Sequence, residues 1–411
     1  MNAKAGNEPK GSNAERLALR RRRMESGPAI FRGAFRPFFL GAAFWAIFTM
    51  CLWLGHVLGQ IPGGFVSDAL AWHRHEMLFG FVGAAIAGFA LTSAPNWTGR
   101  LPIAGWPLAT LFFFWCVGRV LPFGLADTSA ALIALDGGFY LFLSFLIGRE
   151  ETHGRKRSLT ICMVIAAFGF ADILDRMEMA KWIDSAGLGW RAGIALVTAL
   201  VMLIGGRLIP SFTHNWLLKQ VRLDPTPTQP DLTDAIVMAV TIGGLLVWIL
   251  ARASGASGTL LMLAGLANFA RLARWQGWRC LPCLPVFVLH LGYFWLALGL
   301  LLLGAAQFGW ISESPAIHAL STGAMATMIL GVMSRTSLAM TAREPSFNLA
   351  IASACVLITL AAIARVVAGL QIGQSFVLLV VAGFGWLGAF GLFLVVFGPI
   401  LSSPRKGALG K

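Results

Sequence analysis

The feature that most constrains this chain is a succession of long apolar stretches, each close to the length that crosses a bilayer. About 20 mostly apolar residues are needed to span the hydrocarbon core. On that rule the sequence predicts about twelve spans, at 36–57, 72–94, 104–121, 128–148, 159–179, 190–209, 232–251, 258–273, 284–304, 316–338, 349–370 and 376–400. Of the 411 residues, 57% are hydrophobic and 12% charged. Soluble domains carry about 25% charged residues. The expected fold class is therefore all-α: a polytopic transmembrane helix bundle.

The basic excess of +14 could point to nucleic acid, but its distribution points to topology instead. Arg20, Arg21, Arg22 and Arg23 precede the first span, and Arg155, Lys156 and Arg157 crowd one short loop. If both termini are cytoplasmic, all Lys and Arg fall on the inner side except Arg74, Arg119, Arg176, Lys181, Arg191, Arg252 and Arg365. Such asymmetry marks the cytoplasmic face. The expectation is a multi-pass membrane protein with both termini cytoplasmic, with lipid and no nucleic acid as partner. Residues 1–34 read as a disordered basic tail, 35–401 as one membrane domain and 402–411 as a second cytoplasmic tail. No apolar core for a cleavable signal peptide is evident near the start. No internal repeat stands out. Gly80, Ala84 and Gly88, with Gly83 and Ala87 beside them, make one face of the second span small enough for close helix packing.

Polar groups at membrane depth are costly and tend to be functional. Trp72 to Phe81 reads W-H-R-H-E-M-L-F-G-F. His73 and His75 lie two residues apart, roughly 200° around a helix, so one ion cannot take both from a regular helix. His56, His73, His75 and His318 all fall at the expected outer ends of spans, where imidazoles could hold metal or haem. His290 begins its span from the opposite side, which sets it roughly 15–20 Å from His318 in depth. Arg119 and Asp136 suit a hairpin charge pair. Asp172, Asp175 and Glu178 crowd the outer part of the fifth span, where they either relay protons or pair with Arg176. Asn268, Arg271, Arg207 and Arg335 lie towards the inner side and either receive an anion or reach for the interface. Cys280-Leu-Pro-Cys283 is a single C-x-x-C pair, and neither C-x-x-C-H nor H-E-x-x-H occurs.

Several segments together resemble the NnrS family of bacterial inner-membrane proteins. They are F-R-P-F-F-L (Phe35–Leu40), W-H-R-H-E-M-L-F-G-F (Trp72–Phe81), P-N-W-T-G-R (Pro95–Arg100), G-G-R-L-I-P-S-F-T (Gly205–Thr213), L-H-L-G-Y (Leu289–Tyr293), H-A-L-S-T-G-A-M (His318–Met325) and V-M-S-R (Val332–Arg335). The resemblance implies a haem- and copper-containing protein of about twelve spans associated with nitric oxide stress and denitrification. It implies non-covalent, b-type haem, with His73, His75, His290 and His318 as ligand candidates. For copper it implies His73, His75, Glu76 and His318. The chain departs from the family at Leu338–Arg343, where Met340 replaces a histidine; its thioether can still bind Cu(I) or haem iron. The expected function is to bind or remove nitric oxide. Alternatives are a proton- or metal-coupled transporter and a copper- or haem-handling protein.

Overall fold

The computed structural model describes residues 15, 18, 19 and 27–405, except 62–65, 67, 99–100, 124–128, 150–155, 221–230, 252 and 345. Most of the basic N-terminal tail, His153 and the last six residues lie outside the described residues. Among those described there is no strand.

Twelve long helices follow in order: α1 (Phe35–Val57), α2 (Ala69–Thr98), α3 (Trp106–Val120), α4 (Ala130–Gly148), α5 (Lys156–Met179), α6 (Leu188–Lys219), α7 (Leu232–Leu250), α8 (Gly255–Arg274), α9 (Leu284–Gln307), α10 (Glu313–Met340), α11 (Leu349–Gly369) and α12 (Ser375–Ser402). Eleven of them are long and apolar enough to cross a membrane. The twelfth, α5, carries Asp172, Asp175 and Arg176 in its second half, all fully buried. Its 24 residues would reach ~36 Å, beyond the ~30 Å of a hydrocarbon core. Its charges face helices rather than lipid, which is where charged groups at membrane depth are tolerated.

Burial separates inner helices from outer ones. In their most apolar windows, 78% of α2, 72% of α10 and 67% of α9 is buried, against 33% of α3, α7 and α12. Helix α2 packs on α1, α4, α5, α6 and α10, and α10 packs on α1, α2, α6, α9, α11 and α12. The small face of α2 permits these contacts: a Cβ on Gly88 would come within 2.8 Å of the Phe39 ring, and one on Gly83 would strike the Tyr140 hydroxyl. The Arg36 guanidinium, at the start of α1, donates to the Leu401 and Ser403 carbonyls at 2.7 and 2.6 Å. It satisfies the orphan carbonyls at the end of α12 and puts the two ends of the bundle on one face.

The structure reveals an internal correspondence that inspection of the sequence misses. Both α2 and α10 are interrupted by seven π-helical residues, Glu76–Val82 and Ala319–Met325. Each begins directly after a histidine, His75 in one and His318 in the other. The fifth residue of each is glycine, and each glycine faces a tryptophan on the helix before. A Cβ on Gly80 would lie 2.6 Å from Trp45 Nε1; one on Gly323 would lie 2.7 Å from the Trp295 ring. At the same separation Gly88 matches Gly331 and Thr98 matches Thr341. Too few residues are kept for the repeat to be visible without the two π segments, which mark function more often than chance.

Candidate functional site

Asp68 starts α2 by accepting the Leu70 and Ala71 amides, both at 3.0 Å. The short helix that follows carries His73 and His75 to opposite sides, as the helical angle requires. His73 lines a cavity of about 370 Å³, within the roughly 300–1,000 Å³ of small-molecule and cofactor sites. His318 lines the same cavity, brought there by α10. Trp53 of α1 stacks on the His73 ring at 4.4 Å between centroids and 17° between planes. His73 Nδ1 is buried, with no hydrogen-bond partner among the described residues. His318 Nδ1 lies 2.8 Å from the Ser314 carbonyl oxygen. A carbonyl can only accept, so Nδ1 carries the proton and Nε2 keeps its lone pair. A histidine whose Nδ1–H is held by a carbonyl in this way presents Nε2 in the right tautomer and orientation for a metal.

Two arginines line this cavity, Arg74 of α2 and Arg365 of α11. Arg74 stacks on Trp190, with Cζ 5.2 Å from the ring centroid. Arg365 Nη2 donates to Ser314 Oγ at 3.2 Å, beside the carbonyl that holds His318. The thioethers of Met50, Met77 and Met325 complete a soft, apolar lining. The donor set fits haem: two imidazoles for iron and two guanidiniums for propionates. It also fits Cu(I), which favours thioether and imidazole. In the sequence Arg74 and Arg365 stand out only as charges away from the basic side. Arg74 standing between the two histidines was the available signal.

His75 and Glu76 are absent from this cavity. They belong to a buried ion-pair network inside α2, α3, α4 and α5. Arg119 pairs with Glu76 at 2.5 Å and with Asp136; Arg176 pairs with Glu76 at 3.0 Å and with Asp136 at 2.7 Å. Two acids and two arginines thus form a closed ring, and Trp45 Nε1 adds a 2.9 Å bond to Glu76. His75 lies against the ring, Nε2 3.2 Å from Asp136 and Nδ1 2.9 Å from Asp175. With both nitrogens engaged, His75 offers the cavity nothing. Arg119 and Asp136 are paired, but as one side of this ring rather than as an isolated hairpin pair. Arg176 binds Glu76 and Asp136, leaving Asp175 to His75 and to Arg74 Nη2 at 3.2 Å. Glu178 lies apart, accepting the Gly187 amide at 2.8 Å and the Ser185 hydroxyl.

The remaining candidates are dispersed. His290 Nε2 is 2.9 Å from Thr213 Oγ1 on α6, at the end of the bundle where α9 begins. Met340 is at the far end of α10 from His318, roughly 33 Å away for 22 helical residues. Neither can share the cavity of His73. Arg271 is committed to Asp234 at 2.5 Å and Tyr293 at 2.9 Å, and Asn268 to Tyr293 and Thr241. Arg335 lies over the Phe212 ring at 3.9 Å. Cys280 and Cys283 lie in the connection before α9, and burial pushes both thiols above their ordinary pKa. Thiols held protonated are poor nucleophiles and poor metal ligands.

The motifs that build the cavity and the ring extend to the whole chain. Residues 29–405 match the NnrS family, described as NnrS protein. The chain belongs to the NnrS family. A comparison with curated proteins finds no match. NnrS membership associates this membrane protein with the response to nitric oxide.

Proposed function

We propose that this NnrS protein binds haem in the cavity shared by His73 and His318, and through it binds or removes nitric oxide. The observation that carries the proposal is the convergence of two imidazoles from distant segments, with Arg74 and Arg365, on one cavity. His73 and His318 would hold the iron, and the arginines the propionates. Bound there, haem supplies an iron centre able to take a diatomic ligand. Trp53, Phe81 and Trp386 give the cavity an apolar wall. The charge asymmetry supports cytoplasmic termini in a bacterial inner membrane, with the cavity towards the outer side.

The test is the absorption spectrum of protein purified in detergent after expression with ample haem. A Soret band that shifts with nitric oxide is expected. It should be lost or strongly reduced in His73→Ala and His318→Ala and kept in His290→Ala. Absence of any Soret band from the wild type refutes the haem reading. A band unchanged in both cavity variants refutes the assignment of ligands.

A second reading is favoured by one observation, the three methionine thioethers beside the histidines. In that reading the cavity holds Cu(I), with or without haem. Metal analysis of the same samples distinguishes the two, because copper content then falls in Met77→Leu while haem content does not.

A further inference from the structure

A second, smaller cavity follows the first along the bundle. Its volume is about 90 Å³, and side chains of α1, α2, α5, α6 and α10 line it. The two cavities are stacked on three shared helices. Val82 of α2 lines both. On α6 the lining passes from Ile194 in the first cavity to Val197 in the second, and on α10 from Met325 to Met328. Three residues are about one helical turn, or roughly 5 Å. Val82 and Met325 are also the last residues of the two π segments. The α-helical turns that resume after those segments thus border the second cavity.

Every side chain that lines the second cavity is apolar. A buried water needs about two to four polar partners, whereas a dry apolar cavity of ~150 Å³ takes up benzene or xenon. This space is smaller still, and well below the ~300 Å³ at which drug-sized ligand sites begin. It suits a very small, uncharged molecule. Ile86, Phe89, Ile204 and Val332 of its lining are only half-buried, so the cavity reaches the surface of the bundle. These positions lie well inside their helices, where hydrocarbon rather than water meets a spanning segment. Nitric oxide is diatomic, uncharged and nearly without a dipole, so it concentrates in hydrocarbon.

We propose that the second cavity is a docking site for nitric oxide drawn from the lipid, which then passes Val82 to reach the cavity of His73 and His318. Docking is physical: no bond forms or breaks. The site holds the gas one helical turn from the first cavity, in a space that water does not enter. Val82, the one side chain common to both linings, is the partition between them. Delivery rests on the haem reading; docking does not, because it needs no cofactor. A lipid acyl chain is the competing occupant, and the small volume argues against it.

Crystals of the full-length protein pressurised with xenon test the docking site, with or without haem. An anomalous peak is expected between Val82, Ala85, Val197 and Met328. It should be lost in Ala85→Leu, whose added carbons fill the space. Should Ala85→Leu fail to fold, Val332→Phe at the half-buried rim makes the same test. Flash photolysis of the nitric oxide complex of haem-loaded protein tests delivery. At equal haem content, bimolecular recombination should slow several-fold in Ala85→Leu and quicken in Val82→Ala. Absence of a xenon peak from the second cavity overturns the proposal, as does an acyl or detergent chain ordered within it. So does recombination unchanged in a variant that has lost the peak. A protein without a Soret band fails the haem reading and delivery with it, while the xenon peak still decides the docking site.

Discussion

His73 and His75 are neighbours but one in the chain, and they serve different compartments of the protein. His73 stacks on Trp53 in the cavity. His75 is held between Asp136 and Asp175, inside the ion-pair network. Arg74, between them, touches both places. A substitution at either histidine therefore reports on one compartment, and one at Arg74 on both.

The ring should be intolerant of single deletions. Arg119→Met leaves Glu76 and Asp136 without one of their two arginines, and a broken buried pair costs about 3–5 kcal/mol. The thermal midpoint of the purified protein should fall steeply in Arg119→Met. In the double variant Arg119→Met/Glu76→Gln it should recover part of the loss, because one stranded charge is gone. A double variant as unstable as the sum of the two single ones would mean that the ring is not coupled.

The paired glycines of the π segments should resist any side chain. In Gly323→Ala the new methyl group meets the Trp295 ring at 2.7 Å, and overpacking of this kind costs about 1–3 kcal/mol. Gly138→Ala, where a Cβ meets nothing within 4 Å, is the control. Thermal unfolding should separate the two variants clearly, and equal midpoints would contradict the packing described.

Outside the spans, Asp231 caps α7 and pairs with Arg274 at 2.5 Å. That hydrogen bond holds its carboxyl well below the usual carboxylate range. A group depressed in the folded state stabilises above its unfolded pKa of about 3.9, and the contribution is lost as pH falls through the lower folded value. The difference in thermal midpoint between wild type and Asp231→Asn should be constant at neutral pH and shrink only in strong acid. A difference that vanished already near pH 6 would rule this pairing out as its source.

Met340→His should change neither haem nor copper content of the cavity of His73 and His318, since that side chain lies at the opposite end of α10. Quantitative metal and haem analysis of the variant checks this. Copper gained by Met340→His together with His73→Ala would belong to a separate site.

The span pattern was legible because apolar length is a local property, and all twelve expected segments coincide with helices. The opposed directions of His73 and His75 were legible from helical geometry alone. That His73 and His318 fall at the same ends of their spans was legible from the span directions; that they line one cavity was not, because it depends on how α2 and α10 pack within the bundle. The division of labour among the fifth-span acids was hidden for a similar reason. Asp172, Asp175 and Glu178 look equivalent along α5, yet Asp175 meets His75 and Arg74 of α2, Glu178 meets the turn at 185–187, and the Asp172 oxygens have no hydrogen-bond partner among the described residues. The correspondence between α2 and α10 survives in backbone shape more than in residue identity.

The π segment after His75 has a consequence for how such a site can change. A π turn carries one residue more than the α turn it replaces. Winding the seven residues Glu76–Val82 as a plain α-helix, with none removed, would swing everything before them by about 100°. His73 would leave the cavity and His75 would leave its aspartates, with every functional side chain still present in the sequence. The winding of the helix at this one point, as much as the identity of the histidines, thus governs which imidazole meets which chemistry.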